Sequence, residues 1–416
     1  MELTTEQRDL RDAVRGLLTR HRATATGPGP AGDPGTGEDP VAGGDPATSG
    51  DPAAGGDPGS GDGPAPGYDG ALWRRLCSEI GVAGLAIPER YGGAGAGPVE
   101  TCIVLEELGR GLVASPLLGS AVLAGQALLA SGDGEACQRL LPGVASGDTV
   151  AALAWAPRAG HWDPAAPAFA ARPGAAPDPA SPAAPGTWAL TGEAHHVLDG
   201  DSAGVLLAAA RGPDGTGLFE VDPGHRAVTR RAVSTMDTTR RLAVVRLDGA
   251  PGRRLGPGAG TRALARARDL ACIALGAEQA GAAQRALELT VAYTKDRVQF
   301  GRPIGSFQAL QHRMADLHVL VESARSLCYV AASAAVTGAG PAGAEARVAM
   351  LAAAAKAHCS QALARAAGQM IQLHGAIGIT WEHDAHRYFK RAHGAGQLFG
   401  RPEEHVARIA AALIDG

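Results

Sequence analysis

The apolar positions of this chain change period twice. From Phe307 onward, Leu310, Met314, Leu317, Val321, Ala324, Cys328 and Ala331 advance in steps of three and four, the spacing that keeps side chains on one face of a helix. An alanine-rich run over about 343–374 predicts a second long helix, with Gly375 placed to end it in a left-handed cap. Near the N-terminus, Leu10, Val14, Leu17 and Leu18 form one stripe. Thr4 or Thr5 can cap it and Glu6 adds negative charge to its first turn, so residues 4–21 read as a helix. Residues 68–141 read as helix, short apolar stretch, glycine-rich turn and helix, punctuated by Pro88, Gly92 and Gly93. Over 150–256 the character differs: GVLLAAAR, TGLFEVD and RLAVVRLDG are short runs bounded by Gly, Pro and Asp, as in an antiparallel sheet. The expected architecture is α+β and mostly α, with a helical domain over 1–149, a β domain over 150–256 and helices again over 257–416.

Two stretches predict no core. Residues 23–67 are nearly all Gly, Pro, Ala, Asp, Ser and Thr, with Asp-Pro at Asp33, Asp39, Asp45, Asp51 and Asp57, a period of six. Proline removes helix and ladder hydrogen bonds, and the repeat has almost no apolar surface to offset the entropy of ordering. A disordered insertion is expected. The glutamate and ligand spacing of calcium loops are missing, which favours expansion of a low-complexity linker over a metal site. Residues 164–186 are again rich in Pro and Ala, and a mobile loop is expected there.

Composition narrows the function classes. Hydrophobic residues make up 45% and aromatics only 4%, so the cores should be Ala, Leu and Val on closely packed helices. A net charge of −4 gives no electrostatic case for nucleic acid or an anionic membrane. The six cysteines are scattered without a CxxC pair, so buried, reduced thiols are expected rather than a disulfide framework or zinc site. The N-terminal MELTTEQRDLRDAVRGLL is charged and amphipathic, unlike a signal peptide. No stretch has the roughly 18 uninterrupted apolar residues of a membrane span, and a cytoplasmic protein is the expectation.

The turn DRVQFGRPIGSFQALQHRMAD, over 296–316, holds more special residues than a helix connection needs, which makes a ligand or a neighbouring chain a candidate. LTTEQRDLRDAV, PERYGG, VLEELGRGL, LTGEAHHVLDGDSAGVLLAAAR, this turn and QLHGAIGITWEHDAHRYFKRA follow one another along the chain. In these motifs and their order the chain resembles the flavin-dependent acyl-CoA dehydrogenase family, over nearly its whole length apart from 23–67. The resemblance implies an N-terminal helical domain, a central antiparallel β domain and a C-terminal four-helix bundle, assembled as a tetramer of paired dimers. It implies FAD as cofactor and an acyl-CoA thioester as substrate. It further implies that Arg297 contacts the FAD pyrophosphate across a dimer interface, with Phe300 beside it and Gln308 in the segment that follows. Gln372, Leu373, His374, Gly375 and Ala376 would run along the dinucleotide of the neighbouring chain. A guanidinium offers a planar fork for phosphate oxygens, and Gly301 and Gly305 let backbone come close. The plainer alternatives are a surface arginine in a tight turn and a helix cap at Gly375. His374 reads as packing or cap geometry rather than as a ligand.

The resemblance breaks at the chemistry. The family needs a carboxylate to take a proton from the carbon next to the thioester carbonyl while hydride leaves the next carbon. Its two glutamate positions fall here on Phe399 and Ala271, and the arginine that often follows the second is Cys272. In the β domain the flavin-shielding aromatic is His196, the threonine that bonds the ring is Leu198, and the Thr-Glu-Pro stretch is AWAPRAG. Asp269 is rotated about 200° from Ala271 on a helix. Glu382 and Asp384 read as a cap or salt bridge, Glu403 and Glu404 as first-turn charges of the last helix. Three readings remain. The first is the base-lacking subunit of a hetero-oligomer with a base-bearing homologous partner, as the family has in bacterial degradation of steroid side chains. The second is a homomeric flavin monooxygenase or oxidase, for which the His195 and His196 pair is of interest, although adjacent strand residues point to opposite faces. The third is a non-catalytic assembly subunit without flavin. The first is favoured, because the cross-interface turn is intact while the catalytic positions are not.

Overall fold

The computed structural model describes residues 3–26, 67–174, 187–256, 258, 260–336 and 343–414. Nearly all of the predicted insertion lies outside them. Its first residues do not, and they correct its boundary: helix α1 (Thr5–Thr26) continues through 23–26, because Ala23 and Ala25 favour helix and the first glycine comes only at Gly27. Thr4 caps α1 in a reciprocal pair: its Oγ1 accepts from Gln7 N–H at 3.2 Å and its own N–H donates to Gln7 Oε1 at 3.1 Å. Val14, Leu17 and Leu18 are buried.

The first helical layer continues with α2 (Gly70–Arg75), α3 (Pro98–Arg110), α4 (Gly125–Ala130) and α5 (Gly134–Ser146). Its anchor is the crossing of α3 with the long α6 (Gly260–Asp296). A Cβ on Gly109 would lie 2.0 Å from Glu278 O, and one on Gly281 2.0 Å from Glu106 O. The two helices therefore meet backbone to backbone, which larger side chains forbid. Gly281→Ala is expected to destabilise the chain by about 3 kcal/mol, at the upper end of overpacking effects. An unchanged melting temperature would show that the helices part without penalty.

The middle of the chain forms one sheet: β1 (Ala151–Ala154), β2 (Phe169–Pro173), β3 (Thr187–Leu198), β4 (Val205–Gly212), β5 (Gly215–Val221), β6 (Val228–Val233) and β7 (Leu242–Leu255). It runs β4-β2-β3-β7-β5 and returns to β4 through the β4–β5 ladder, so the sheet closes on itself around Phe169, Leu190, Leu206, Phe219 and Val245. The expectation of a purely antiparallel sheet is corrected, since β1 and β2 both run parallel to β4. The expected loop over 164–186 is corrected in part: Phe169–Pro173 is a strand whose Phe169 and Ala171 point into the core. Residues 175–186 lie outside the described part.

The last layer is a bundle of α6, α7 (Gln308–Val336), α8 (Ala344–His374), α9 (Ala385–Gln397) and α10 (Pro402–Ile414). On α7, Leu317, Val321, Ala324, Cys328 and Ala331 are buried, while Phe307, Leu310 and Met314 at the entrance are half-buried. Among the described helices, α7 is long and apolar enough by length and composition to cross a membrane, and here its stripe packs on α6 and α8. Gly375 does not end α8 in a left-handed cap as expected. Its φ of 63° is paired with ψ −140°, and the chain turns directly into a short 3-10 run, Gly375–Ile379.

Candidate functional site

Beyond α6 the chain makes a minimal hairpin of β8 (Val298–Gln299) and β9 (Arg302–Pro303). The two loop residues, Phe300 and Gly301, both have positive φ, 53° and 73°, the twist-matched turn that normally takes Asn-Gly. An aromatic at the first loop position is strained. Its ring is 92% exposed, with only an edge contact to Phe307 at 6.2 Å. Gly305 seats the hairpin: a Cβ there would come 2.9 Å from Thr294 O. The backbone of Arg297 is tied at both ends, N–H to Tyr293 O at 2.9 Å and O from Ile304 N–H at 2.8 Å. Its guanidinium is exposed and makes no ion pair among the described residues. Gln308, at the start of α7, is also exposed.

The 372–376 segment lies at the same end of the bundle. Tyr293 stacks on His374 with ring centroids 4.2 Å apart. His374 is buried; Nδ1–H donates to Met370 O at 2.7 Å, and Nε2 has no partner among the described residues. Burial holds its pKa below the usual imidazole range, so at neutral pH Nε2 is a bare acceptor. Gln372, Gly375 and Ala376 are exposed and Leu373 is half-buried. Ile379 and Trp381 beyond them are 71% and 79% exposed. An exposed guanidinium with no ion pair among the described residues and an exposed amide suit the diphosphate and hydroxyls of a dinucleotide such as FAD, whereas the orphaned Nε2 of His374 is buried. The structure places the Arg297 turn and the 372–376 segment at one end of the bundle, with Arg297, Phe300, Gln308, Gln372, Gly375 and Ala376 exposed, Leu373 half-buried and His374 buried. Phe300→Asn is expected to relieve the strained turn and stabilise the isolated chain by about 1 kcal/mol, read in urea unfolding. A loss of stability would show that the exposed ring packs within its own chain.

The two vacant base positions come together elsewhere. Ala271 precedes Tyr293 by 22 residues on α6, about 33 Å at 1.5 Å per residue. Its neighbour Cys272 lies 3.9 Å, Sγ to Nε2, from His405, whose Nε2–H donates to Phe399 O at 3.1 Å. Burial, with Lys356 and Arg408 nearby, pushes the pKa of His405 down to about 3, so it is neutral. Phe399 has φ 62°, is 1% exposed and meets Trp162 edge-on at 5.0 Å; Trp162 meets Trp155 at 5.5 Å. A buried aromatic ladder stands at Phe399, where the sequence resemblance leads one to expect a carboxylate. A space of about 20 Å³ lined by Leu270, Ile273, Ala274, Cys102 and Gln126, which Ala271 itself does not border, has room for one water.

The turn that carries Phe399 is fixed by a residue that the sequence reading passed over. Lys356 is fully buried and donates to Gly396 O, Gly400 O and Ser360 Oγ, each at 3.1 Å. Burial lowers its pKa to about 8. A single lysine inside an alanine-rich helix was the available signal. The acids nearby have structural partners: Asp269 with Arg408 at 3.0 Å, Asp384 with Arg387 at 3.0 Å, and Glu404 Oε2 with Arg401 N–H at 3.3 Å.

In the β domain, Leu198 is buried against Gly119, where a Cβ would approach its own Cβ to 2.7 Å. The expectation that His195 and His196 face apart is corrected. The β3 register on β7 slips between Ala194 and Val197, His196 takes φ 56°, and the two rings come within 6.1 Å, as a bulge re-aims side chains. His195 Nε2 pairs with Glu193 Oε1 at 2.8 Å. His196, Arg158, Trp162, Leu398 and Arg401 border a cleft of about 280 Å³. A second, of about 380 Å³, shares Trp162 and Glu404 with it and reaches Arg268, Phe399, His405 and Arg408.

Comparison with known proteins gives these features a context. The family model "Acyl-CoA dehydrogenase, C-terminal domain" matches residues 258–414, and "Acyl-CoA dehydrogenase, N-terminal domain" matches 64–148. The chain is 42% identical over 344 residues to acyl-CoA dehydrogenase IpdE2 of Mycobacterium tuberculosis (strain ATCC 25618 / H37Rv), covering 82% of this chain and 86% of that protein. It is 32% identical over 358 residues to acyl-CoA dehydrogenase FadE27 of the same organism, covering 84% and 89%. Among solved structures, a variant of the Tcur3481-Tcur3483 steroid ACAD matches with a TM-score of 0.77 at 29% identity, over 99% of this chain and 98% of that one. The ChsE4-ChsE5 complex from Mycobacterium tuberculosis matches with a TM-score of 0.77 at 26% identity, over 100% and 99%.

Proposed function

This chain belongs to the acyl-CoA dehydrogenase family, and from that premise we propose that it is the base-lacking subunit of a cytoplasmic hetero-oligomer. In this reading it lends its Arg297 turn to an FAD held mainly by a homologous, base-bearing partner, which dehydrogenates an acyl-CoA thioester between its α and β carbons. One observation carries the reading. Both base positions are buried and apolar, while the exposed Arg297 turn follows the far end of α6, about 33 Å along that helix from Ala271. That separation favours a cofactor shared with a second chain. Two of the structural relatives are named as pairs of different chains, which supports the same arrangement.

FAD, when bound, supplies the acceptor for hydride. Arg297 would hold its pyrophosphate through the guanidinium. Gln372 would offer its exposed amide, while buried His374 would shape the turn beneath it. The strained Phe300 ring loses its exposed surface against the partner, which excludes water from the phosphate contacts. Phe399 and Ala271 carry no group that takes a proton, so in this reading the partner's carboxylate takes it. The bulge that turns His196 toward the 280 Å³ cleft favours a second reading, a homomeric flavin monooxygenase or oxidase. A non-catalytic assembly subunit is the third.

The test is to express the chain alone and with a homologous subunit bearing glutamate at either base position, then record visible flavin absorbance and add acyl-CoA thioesters without oxygen. Bound flavin that bleaches only in the pair is expected, with Phe399→Leu leaving turnover within about twofold, a change under 0.5 kcal/mol. Bleaching by the chain alone, or a colourless pair, would sink the proposal.

A further inference from the structure

Where α1, α3 and α6 meet, cations outnumber acids. Arg15, Arg22, Arg110 and Arg285 bring four guanidiniums to the wall of a cleft of about 230 Å³, and Glu107 brings the one carboxylate on that wall. The C-terminus of α3 accounts for one cation here, since Arg22 Nη2 donates to Gly111 O at 2.6 Å, but not for four. Three of the arginines stand in an alternating ladder. Arg15 Nε and Arg110 Nε lie 2.9 and 3.8 Å from one oxygen, Glu107 Oε2, while Arg110 Nη2 and Arg285 Nη1 lie 2.8 and 3.2 Å from another, Glu288 Oε2. A ladder with arginine at both ends carries a surplus positive charge, in a chain whose net charge is −4. Elsewhere single pairs are common: Arg139 with Glu220, Arg325 with Glu106 and Arg262 with Glu345.

The wall selects the kind of anion. Leu18 is its one apolar side chain, so a fatty or aromatic body has little to cover it. Arg15 Nη1 and Arg285 Nε and Nη2 make no hydrogen bond among the described residues, and the two side chains reach solvent, 48% and 39% exposed. Donors that arrive from different helices do not share the single plane a carboxylate offers, whereas a tetrahedral phosphate accepts from several directions. A phosphate monoester is close to a dianion at neutral pH, which the surplus charge favours, and guanidinium is well suited to it. A volume of about 230 Å³ lies below that of pockets for whole ligands and holds a phosphate with its waters rather than a nucleotide.

We propose that this cleft binds the phosphate group of a small, polar phosphate monoester, on the donors that Glu107 and Glu288 leave over. It stands apart from the Arg297 turn: Arg285 precedes Asp296, the end of α6, by eleven residues, about 17 Å along the helix. The inference does not rest on the role given to that turn.

Isothermal titration of the full chain at low ionic strength is the test, with glycerol 3-phosphate as probe and glycerol, acetate, hexa-aspartate and FAD as comparisons. Saturable binding of glycerol 3-phosphate and none of glycerol is expected. Its Kd should rise about fivefold with Arg15→Gln and with Arg285→Gln, less with Arg15→Lys, and should rise with added salt. Both glutamine variants should keep their melting temperature, because Glu107 and Glu288 each retain Arg110. Should one of them melt early, the other decides. A ladder that only ties the helices together gives no saturable heat in the wild type, which would overturn the proposal. So would acetate binding as tightly, which removes the preference for phosphate, or hexa-aspartate binding more tightly, which gives the cleft to an acidic protein segment. Displacement of the probe by FAD would assign the cleft to the cofactor surface, and indifference to both glutamine variants would place the anion elsewhere.

Discussion

Arg297→Ala is expected to weaken FAD binding by the assembled protein about ten- to a hundredfold. Hydrogen bonds to charged groups contribute roughly 1.5–3 kcal/mol each, and every 1.4 kcal/mol is tenfold in affinity. On an open surface solvent screens the guanidinium, so its two-pronged grip on a diphosphate counts as about one such bond, and Arg297→Lys, which keeps the charge and loses the fork, should fall between. The chain's own stability should hardly move, since the Arg297 side chain is exposed and unpaired among the described residues. The measurement is flavin fluorescence on titrating FAD into the stripped complex. Unchanged affinity would take the turn off the cofactor and leave it as an ordinary surface hairpin.

The second large effect concerns a residue remote from that surface. Lys356→Met should destabilise the chain by roughly 2 kcal/mol at pH 7. It abandons the carbonyls of Gly396 and Gly400 and the Ser360 hydroxyl, a loss partly offset because a buried charge disappears. Its pH dependence gives the sharper test. In the folded chain the lysine pKa is lowered from 10.5 to about 8 by burial. Between those values the unfolded chain binds the proton and the folded one does not, so wild-type stability rises with pH through that window. The gap between wild type and variant should therefore widen above pH 8, by as much as about 3 kcal/mol near pH 10.5, at 1.36 kcal/mol per pH unit. Urea unfolding at pH 7 and pH 10 measures it. A constant gap would mean that Lys356 keeps its proton in both states.

The helices were legible because their apolar steps report burial directly: Leu317, Val321 and Cys328 are where the period of α7 puts them. The Arg297 turn and the 372–376 segment could be found because glycines, an aromatic and an arginine at fixed offsets carry local geometry. What the sequence could not show depends on partners far along the chain. The bulge at His195 and His196 arises from the register of β7, some fifty residues later. Strand β2 is hidden by proline- and alanine-rich flanks, and becomes a strand only because β3 and β4 offer it edges. Trp162 looks like an isolated loop aromatic until Phe399 packs on it. Lys356 reads as a solvated helix residue until the α9–α10 turn closes over it.

The left-handed Phe300 also bears on how much of this chain a cell can tolerate. On its own, each molecule holds a bare aromatic ring at the tip of a strained turn, with Ile379 and Trp381 also uncovered nearby, an adhesive surface for any chain it meets. If the proposed partner covers that surface, the safe output of this gene is set by the output of the other. Synthesis in excess would yield inclusion bodies or rapid degradation rather than spare enzyme, and matched expression of the two genes would be the condition for recovering either product in quantity.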